Sequence, residues 1–174
     1  METTKTETDA AKMGIDPSKN KVTLVVFSGD MDKVQAAFNI ALGAATMGME
    51  VTLFFTFWGL NVLRRHRSKS VGGFLRRAFD YINPGGARNL PLSKFNFGGL
   101  GKSALRRLMD QFSMPTIEQL IAMAKEANVK LIACTITMGV MGVDQDNLID
   151  EVDDLAGVFA YLGEARESSV NLFI

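Results

Sequence analysis

Two short apolar runs on either side of one amphipathic segment place the strongest constraint on the fold of this chain. Residues 22–27 are apolar and rich in β-branched side chains, and a Ser-Gly-Asp sequence typical of a turn and a helix cap follows them. From Met31, apolar residues recur every three or four positions up to Gly48, which predicts an amphipathic helix. Residues 51–55 predict a second buried strand. A strand, a helix and a strand with short connections favour a parallel sheet.

The second half of the chain repeats this alternation. Residues 116–119 have the form of a helix capping box, Asn128 is placed to end that helix, and residues 130–133 predict a strand. After Cys134 we expect a Thr- and Gly-rich turn.

The carboxyl-terminal residues complete the predicted sheet. They indicate a helix from about 152 to 162 that stops at Gly163, and then a short strand at 170–173. Four strands alternating with at least three helices predict an α/β fold with a three-layer, mostly parallel open sheet of the Rossmann-like or flavodoxin-like type. Ligands of such a sheet lie beyond the carboxyl ends of its strands.

Length and charge indicate how the chain is organised. The 174 residues suit one domain, which we place at 21–174 after a polar tail, 1–20, that we expect to be disordered. The tail lacks the apolar core of a signal peptide, and the most apolar stretch, 51–63, is too short to span a bilayer. We therefore expect a cytoplasmic protein with no transmembrane segment.

A basic, glycine-rich insertion at about 64–110 interrupts the α/β pattern. Residues 64–107 hold eleven Lys and Arg against one acid, whereas the rest of the chain holds eight bases and eighteen acids. The insertion could bind anionic substrates, an acidic partner or a neighbouring subunit, or it could be simply solvated. Residues 98–103 resemble the end of a phosphate-binding loop, but Asn96 stands where a Walker A loop needs glycine. His66, flanked by arginines, is expected to be a surface group.

Cys134 is the only cysteine, so the chain can form no internal disulfide, no Cys-x-x-Cys pair and no multi-cysteine metal site. We expect no metal and no cofactor. The cysteine ends a predicted strand, where this fold presents reactive groups, although free cysteines are often only buried apolar residues. Thr135 and Thr137 can donate hydrogen bonds to its sulfur, and Gly139 allows close backbone approach. Such an environment lowers the pKa of a thiol and supplies a nucleophile.

An aromatic run at 54–58 comes at the end of another predicted strand. Core packing or subunit contact explains it more simply than base stacking, so no nucleic-acid partner is expected. Trp58, Gly59 and Lys102 are our candidates for substrate or partner contact.

Several segments together resemble the DsrE/DsrF-like sulfur-relay family, and most closely its DsrE subgroup formerly labelled peroxiredoxin-like. They are MGME at 47–50, FFTFWGL at 54–60, IACT at 132–135, MG at 141–142, YLGEA at 161–165 and VNLFI at 170–174. The resemblance extends from about residue 21 to the end of the chain. This chain has Thr137 and Gly139 where the resemblance leads us to expect a serine and an acidic residue.

The resemblance implies that Cys134 carries sulfane sulfur as a persulfide and relays it between donor and acceptor proteins. The implied partners are rhodanese-like or TusA-like proteins, and the implied assembly is a homo-oligomer, a trimer or a multiple of one. The chain would then be a sulfurtransferase component with little turnover by itself. Peroxide reduction is less favoured, because Ala127 and Leu131 replace the proline and threonine that precede a peroxidatic cysteine. A regulatory or scaffold oligomer, and docking of anionic partners or a membrane surface through the insertion, remain alternatives.

Overall fold

A computed structural model of the protein describes residues 20–65, 85–95 and 100–174. Strands and helices are numbered within these residues. The strands are β1 (Lys21–Val26), β2 (Glu50–Phe55), β3 (Lys130–Cys134), β4 (Asp154–Ala156) and β5 (Val170–Phe173). The α-helices are α1 (Met31–Thr46), α2 (Leu100–Gln111), α3 (Ile117–Glu126), α4 (Thr135–Met141) and α5 (Val158–Glu167), and 3-10 helices span Phe57–Leu63, Ala87–Asn89 and Gln145–Asn147.

The five strands form one sheet in the order β4-β3-β2-β1-β5, and every neighbouring pair is parallel. The chain therefore builds outward from β1 to β4 and then returns to the other side of β1 for β5. This arrangement confirms the predicted α/β fold with an open parallel sheet. All five strands point the same way, so the segments that follow them meet at one edge.

The two faces of the sheet are covered unequally. Helices α1 and α3 cover one face and form the main hydrophobic core with alternate strand residues, including Leu24, Leu53 and Leu131. The other face carries a smaller buried cluster to which α5 contributes Tyr161; its members are Phe54, Ile132, Cys134 and Ala156. The result is a three-layer arrangement in which the cysteine lies on the less covered face.

The helix boundaries predicted from capping residues are confirmed. Thr116 Oγ1 accepts a hydrogen bond from Gln119 N at 3.3 Å, and Gln119 Oε1 accepts one from Thr116 N at 2.8 Å, so the capping box of α3 is complete. Gly48 after α1 and Asn128 after α3 adopt the left-handed conformation, with φ of 79° and 57°.

The predicted helix at 152–162 is wrong at both ends. Residues 154–156 form the edge strand β4, because Asp153 bonds Leu131 in both directions: its N–H donates to Leu131 O at 2.9 Å and its carboxylate accepts from Leu131 N at 2.8 Å. Helix α5 begins only at Val158 and continues through Gly163 to Glu167.

The Thr- and Gly-rich turn predicted after Cys134 is also wrong, since these residues form helix α4, which ends at Gly142 with φ of 68°. Residues 1–19 of the predicted tail, and residues 66–84 and 96–99 of the insertion, lie outside the described residues, as does His66. Within the described part of the insertion, Gly101, Lys102 and Ser103 belong to helix α2.

Candidate functional site

Cys134 is the last residue of β3 and the N-cap of helix α4. It is only 2% exposed, and it lies in the small cluster on the less covered face of the sheet. The strand delivers the cysteine to the carboxyl edge, and the helix that starts immediately after it directs backbone N–H groups toward this position.

The segment after β2 supplies two further groups to the site. Phe55 pairs with Ala133 in the parallel register, so Thr56 lies level with Cys134. The hydroxyl of Thr56 lies 2.9 Å from that of Thr137, and the Phe57 N–H donates to Thr137 Oγ1 at 3.1 Å. Thr137 is itself buried. The ends of two neighbouring strands are thus joined by hydrogen bonds beside the cysteine.

Two opposing effects act on the ionisation of Cys134. Burial raises the pKa of the thiol, because a buried charge loses its hydration. Hydrogen bonding from Thr137, through both its N–H and its hydroxyl, from the Thr56 hydroxyl and from the Ile136 N–H favours the thiolate. Together these hydrogen bonds outweigh the effect of burial, so the pKa of Cys134 is lowered from its ordinary value.

The backbone of the segment after β2 is held in an uncommon conformation. Phe57 has φ of 46°, a left-handed value that residues other than glycine rarely adopt. Gly59 lies so close to β1 that an added Cβ would come within 1.9 Å of Val26 O. The Gly59 N–H also donates to Phe27 O at 2.8 Å. These contacts fix the position of Thr56.

Exposed apolar side chains lie on the segments that follow the strand ends. Phe57 and Trp58 follow β2, Ile136 and Val140 lie on α4, and Phe159 of α5 is 93% exposed. The buried thiol therefore lies at the sheet edge whose following segments carry these exposed apolar side chains, and exposed apolar surface is typical of protein contact sites.

Comparison with known protein families identifies the family of this chain. The model of the DsrE/DsrF/DrsH-like family matches residues 18–173, nearly the whole chain. The chain belongs to this family. It is 48% identical to the protein YrkE of Bacillus subtilis (strain 168) over 155 residues, which cover 88% of this chain and 96% of that protein.

Two other DsrE-like comparisons agree with this assignment. The chain is 28% identical to the sulfur carrier protein DsrE2 of Allochromatium vinosum over 165 residues, covering 90% of this chain and 99% of that protein. The ychN protein from E. coli has a crystal structure that matches with a TM-score of 0.50 at 13% identity, covering 89% of this chain and 99% of that one. This likeness supports the DsrE-like fold.

The residues predicted from sequence to support the cysteine lie in different places in this DsrE-like fold. Thr137 lies beside Cys134, as described above. Thr135 is exposed at the start of α4, and its Oγ1 would lie 3.9 Å from a Cβ added at Gly157. Gly139 lies in the middle of α4, where an added Cβ would meet nothing within 4 Å, so packing does not require glycine there. Sequence reasoning did not identify Thr56.

The three residues predicted for substrate or partner contact are also separated. Trp58 is partly exposed, whereas Gly59 is buried against β1. Lys102 lies on α2, which packs through Leu105 and Met109 on the face of the sheet opposite to Cys134. Its Nζ donates to Arg88 O at 2.9 Å. The structure brings Trp58 and Gly59 close to the site and Lys102 to another part of the molecule; their roles in contact stay predictions.

Two further observations concern the described residues, 20–65, 85–95 and 100–174. No group of three or more His, Cys, Asp or Glu side chains there is arranged to hold a metal ion. None of the helices in these ranges has the length and apolarity needed to cross a membrane.

Proposed function

We propose that this DsrE-like protein is a sulfur carrier that holds sulfane sulfur as a persulfide on Cys134 and relays it between a donor and an acceptor protein. The observation that carries the proposal is the environment of the single cysteine. It ends a strand at the functional edge of the sheet, and hydroxyl and amide donors there lower its pKa. Family membership and the name of the A. vinosum relative, a sulfur carrier protein, support the same chemistry.

The proposed transfer is a thiolate exchange that needs no external oxidant. The Cys134 thiolate attacks the outer sulfur of a donor persulfide, R–S–S–H, and a new S–S bond forms as the donor S–S bond breaks. The electron pair of the broken bond leaves on the donor as the thiolate R–S⁻, and the proton stays on the transferred sulfur. Transfer to an acceptor thiolate repeats this step with Cys134 as the leaving thiolate.

The lowered pKa of Cys134 matters most when the cysteine leaves as a thiolate during transfer to the acceptor. A thiol of low pKa leaves faster than one of ordinary pKa, and more of it is present as the attacking thiolate at neutral pH. The hydrogen-bond donors around Cys134 therefore favour both the loading of sulfur onto the cysteine and its release to an acceptor.

The proposal includes protein partners and self-assembly. Because Cys134 is buried, a donor must reach it through a local opening, and the exposed side chains of Phe57, Trp58 and Phe159 offer apolar surface for docking. Rhodanese-like or TusA-like proteins are the proposed donor and acceptor. A homo-oligomer, a trimer or a multiple of one, would use part of the same surface. The cytoplasmic location expected from the sequence stays a prediction.

A relay experiment tests the proposal. Persulfidated rhodanese is mixed with the reduced protein, the donor is removed, and a reduced TusA-like acceptor is added; the intact mass of the acceptor is then measured. We expect the acceptor to gain the mass of sulfur, and we expect no gain with Cys134→Ser. An acceptor that gains sulfur equally with the variant would overturn the proposal.

Two other hypotheses differ in what they predict. A regulatory or scaffold oligomer should bind its partners equally well after Cys134→Ser. Docking of the basic insertion on anionic membranes should give vesicle binding at low salt that weakens as salt is added. Loss of sulfur relay in the variant contradicts the first hypothesis, and absence of vesicle binding at low salt contradicts the second.

A further inference from the structure

We propose that Thr56 is a positioning residue for Cys134, pairing with Thr137 so that one hydroxyl proton stays directed at the sulfur. The inference rests on the proposed function, because it assigns Thr56 a part in preparing the thiolate that carries sulfur. Thr56 lies 78 positions from Cys134 in the sequence, and the parallel register of β2 and β3 brings the two together.

Counting protons explains why the pair matters. Each threonine hydroxyl has one proton and two lone pairs. The bond of 2.9 Å between Thr56 Oγ1 and Thr137 Oγ1 uses one of the two protons, whichever residue donates. The other proton is left for a third group, and the sulfur of Cys134 is within the reach of both hydroxyls.

The Phe57 N–H limits the hydrogen bonds that the Thr137 hydroxyl can form. It donates to Thr137 Oγ1 at 3.1 Å, so one lone pair of that oxygen is already occupied. Thr137 lies in the first turn of α4, so no earlier turn of that helix competes for its hydroxyl proton. With Thr56 as partner and Phe57 as donor, the Thr137 hydroxyl is held in the network beside the cysteine.

The backbone around Thr56 is fixed independently of the hydroxyl. Phe57 has its left-handed φ of 46°, and Gly59 is pressed against Val26 O, so the segment has little freedom to move. Strained residues of this kind persist where the surroundings determine them, and they are concentrated at functional sites. Thr56→Val, which replaces the hydroxyl with a methyl group, should therefore leave the segment in place and remove only the hydrogen bond.

The test is the ionisation of Cys134 in Thr56→Val, followed by the ultraviolet absorbance of the thiolate, with Cys134→Ser as the blank. A hydrogen bond to a charged group contributes enough to change an equilibrium about tenfold. We expect the acid dissociation constant of the Cys134 thiol to fall by roughly threefold to tenfold in the variant, because the freed Thr137 hydroxyl compensates in part. Thr56→Ser should restore the wild-type titration.

Alkylation rates distinguish this effect from a change in access. Thr56→Val should react more slowly than wild type at low pH, where less thiolate is present. It should react faster at high pH, where both are ionised and the thiolate of higher pKa is the stronger nucleophile. The two pH profiles should therefore cross. A change in access alone would multiply the rate by one factor at every pH.

Thr52→Val is the matched control, because Thr52 is a buried threonine on β2, the strand that leads into Thr56, and lies outside the site. It should titrate as wild type does. A Thr56→Val profile that overlays wild type, or one that shifts without crossing, would overturn the inference. If Thr56→Val fails to fold, Thr56→Ala takes its place. The same shifted and crossing profiles are expected, and the same two outcomes would overturn the inference.

These measurements need no sulfur donor, so the two proposals can fail separately. A shifted titration in a protein whose Cys134 never accepts sulfur would contradict the proposed function alone. Sulfur loading of wild type together with an unshifted Thr56→Val titration would contradict the role of Thr56 alone.

Discussion

Gly59 should not tolerate even the smallest side chain. In Gly59→Ala the added Cβ would lie 1.9 Å from Val26 O and 2.7 Å from Val26 C, whereas ordinary contacts begin at 3.4 Å. Both atoms belong to the backbone of β1, a strand paired on both sides. The clash therefore has to be relieved by moving the segment that follows β2.

The expected magnitude combines overpacking with broken hydrogen bonds. Overpacking in a rigid interior destabilises by about 1–3 kcal/mol, and each lost hydrogen bond adds about 1 kcal/mol. The Gly59 N–H donates to Phe27 O at 2.8 Å and to Thr56 O at 3.0 Å, and both bonds lie in the displaced segment. We expect a loss of about 3 kcal/mol or more, which for a chain of this size lowers Tm by about 6–12 °C.

Chemical denaturation followed by circular dichroism is the suitable assay, because the single tryptophan, Trp58, is too close to the substitution to report global unfolding. Gly163→Ala is the matched control. An added Cβ there meets nothing within 4 Å in the interior of α5, so this variant should be more stable by about 0.5–1 kcal/mol. An unfolding free energy of Gly59→Ala within about 0.5 kcal/mol of wild type would refute the packing argument.

Three further predictions concern an ion pair, a hydrogen bond and a ring contact in the protein. Burial raises the pKa of Glu164, but its pairing with Lys21 at 3.1 Å lowers it overall, so its contribution is present above the unfolded pKa and lost on acidification. Glu164→Gln should therefore be less stable than wild type by about 1 kcal/mol or less at pH 7, and the two unfolding free energies should converge as the pH falls through the lowered pKa of Glu164; a difference that persists at still lower pH contradicts the ion pair. Thr137→Val leaves the part-buried Phe57 N–H without its acceptor and should lower the unfolding free energy by about 1–3 kcal/mol, with Thr137→Ser close to wild type; equal losses in both variants would mean that packing of the methyl group matters instead. Tyr161→Ala removes the ring stacked at 4.9 Å on Phe54 beside the cysteine and should speed alkylation of the native protein, whereas an unchanged rate would show that the reagent enters elsewhere.

Local signals in the sequence were sufficient for most of the fold. Each confirmed element carried its own periodicity and its own end residue, such as Gly48 after α1 or the Thr116 capping box of α3. The strand, helix and strand at the start of the chain then implied the parallel sheet, because short connections leave few other arrangements.

The elements that were missed depend on tertiary contacts. Strand β4 has three residues, too few to show a period, and it is held by its bonds to β3. Helix α5 continues past Gly163, and the next residue, Glu164, pairs with Lys21 of β1 and Lys130 of β3. The glycine alone therefore did not mark the end of the helix.

The candidate site was predictable only in part for the same reason. Cys134 and Thr137 are close in sequence, and a position after a strand marked both as candidates. Thr56 follows a different strand, and only the pairing of Phe55 with Ala133 brings it to the cysteine. Its signal in the sequence was its position directly after a predicted strand, which becomes informative once the strand order is known.

The most direct test of the central claim is the mass of the protein after contact with a sulfur donor. The reduced protein is incubated with thiosulfate, polysulfide or persulfidated rhodanese, its intact mass is measured, and any added sulfur is located by peptide mass spectrometry. The account predicts a gain of one or more sulfur atoms on Cys134 that a reductant removes. No gain with any donor, together with a Cys134 that resists alkylation until the protein is denatured, would contradict it and identify a structural cysteine.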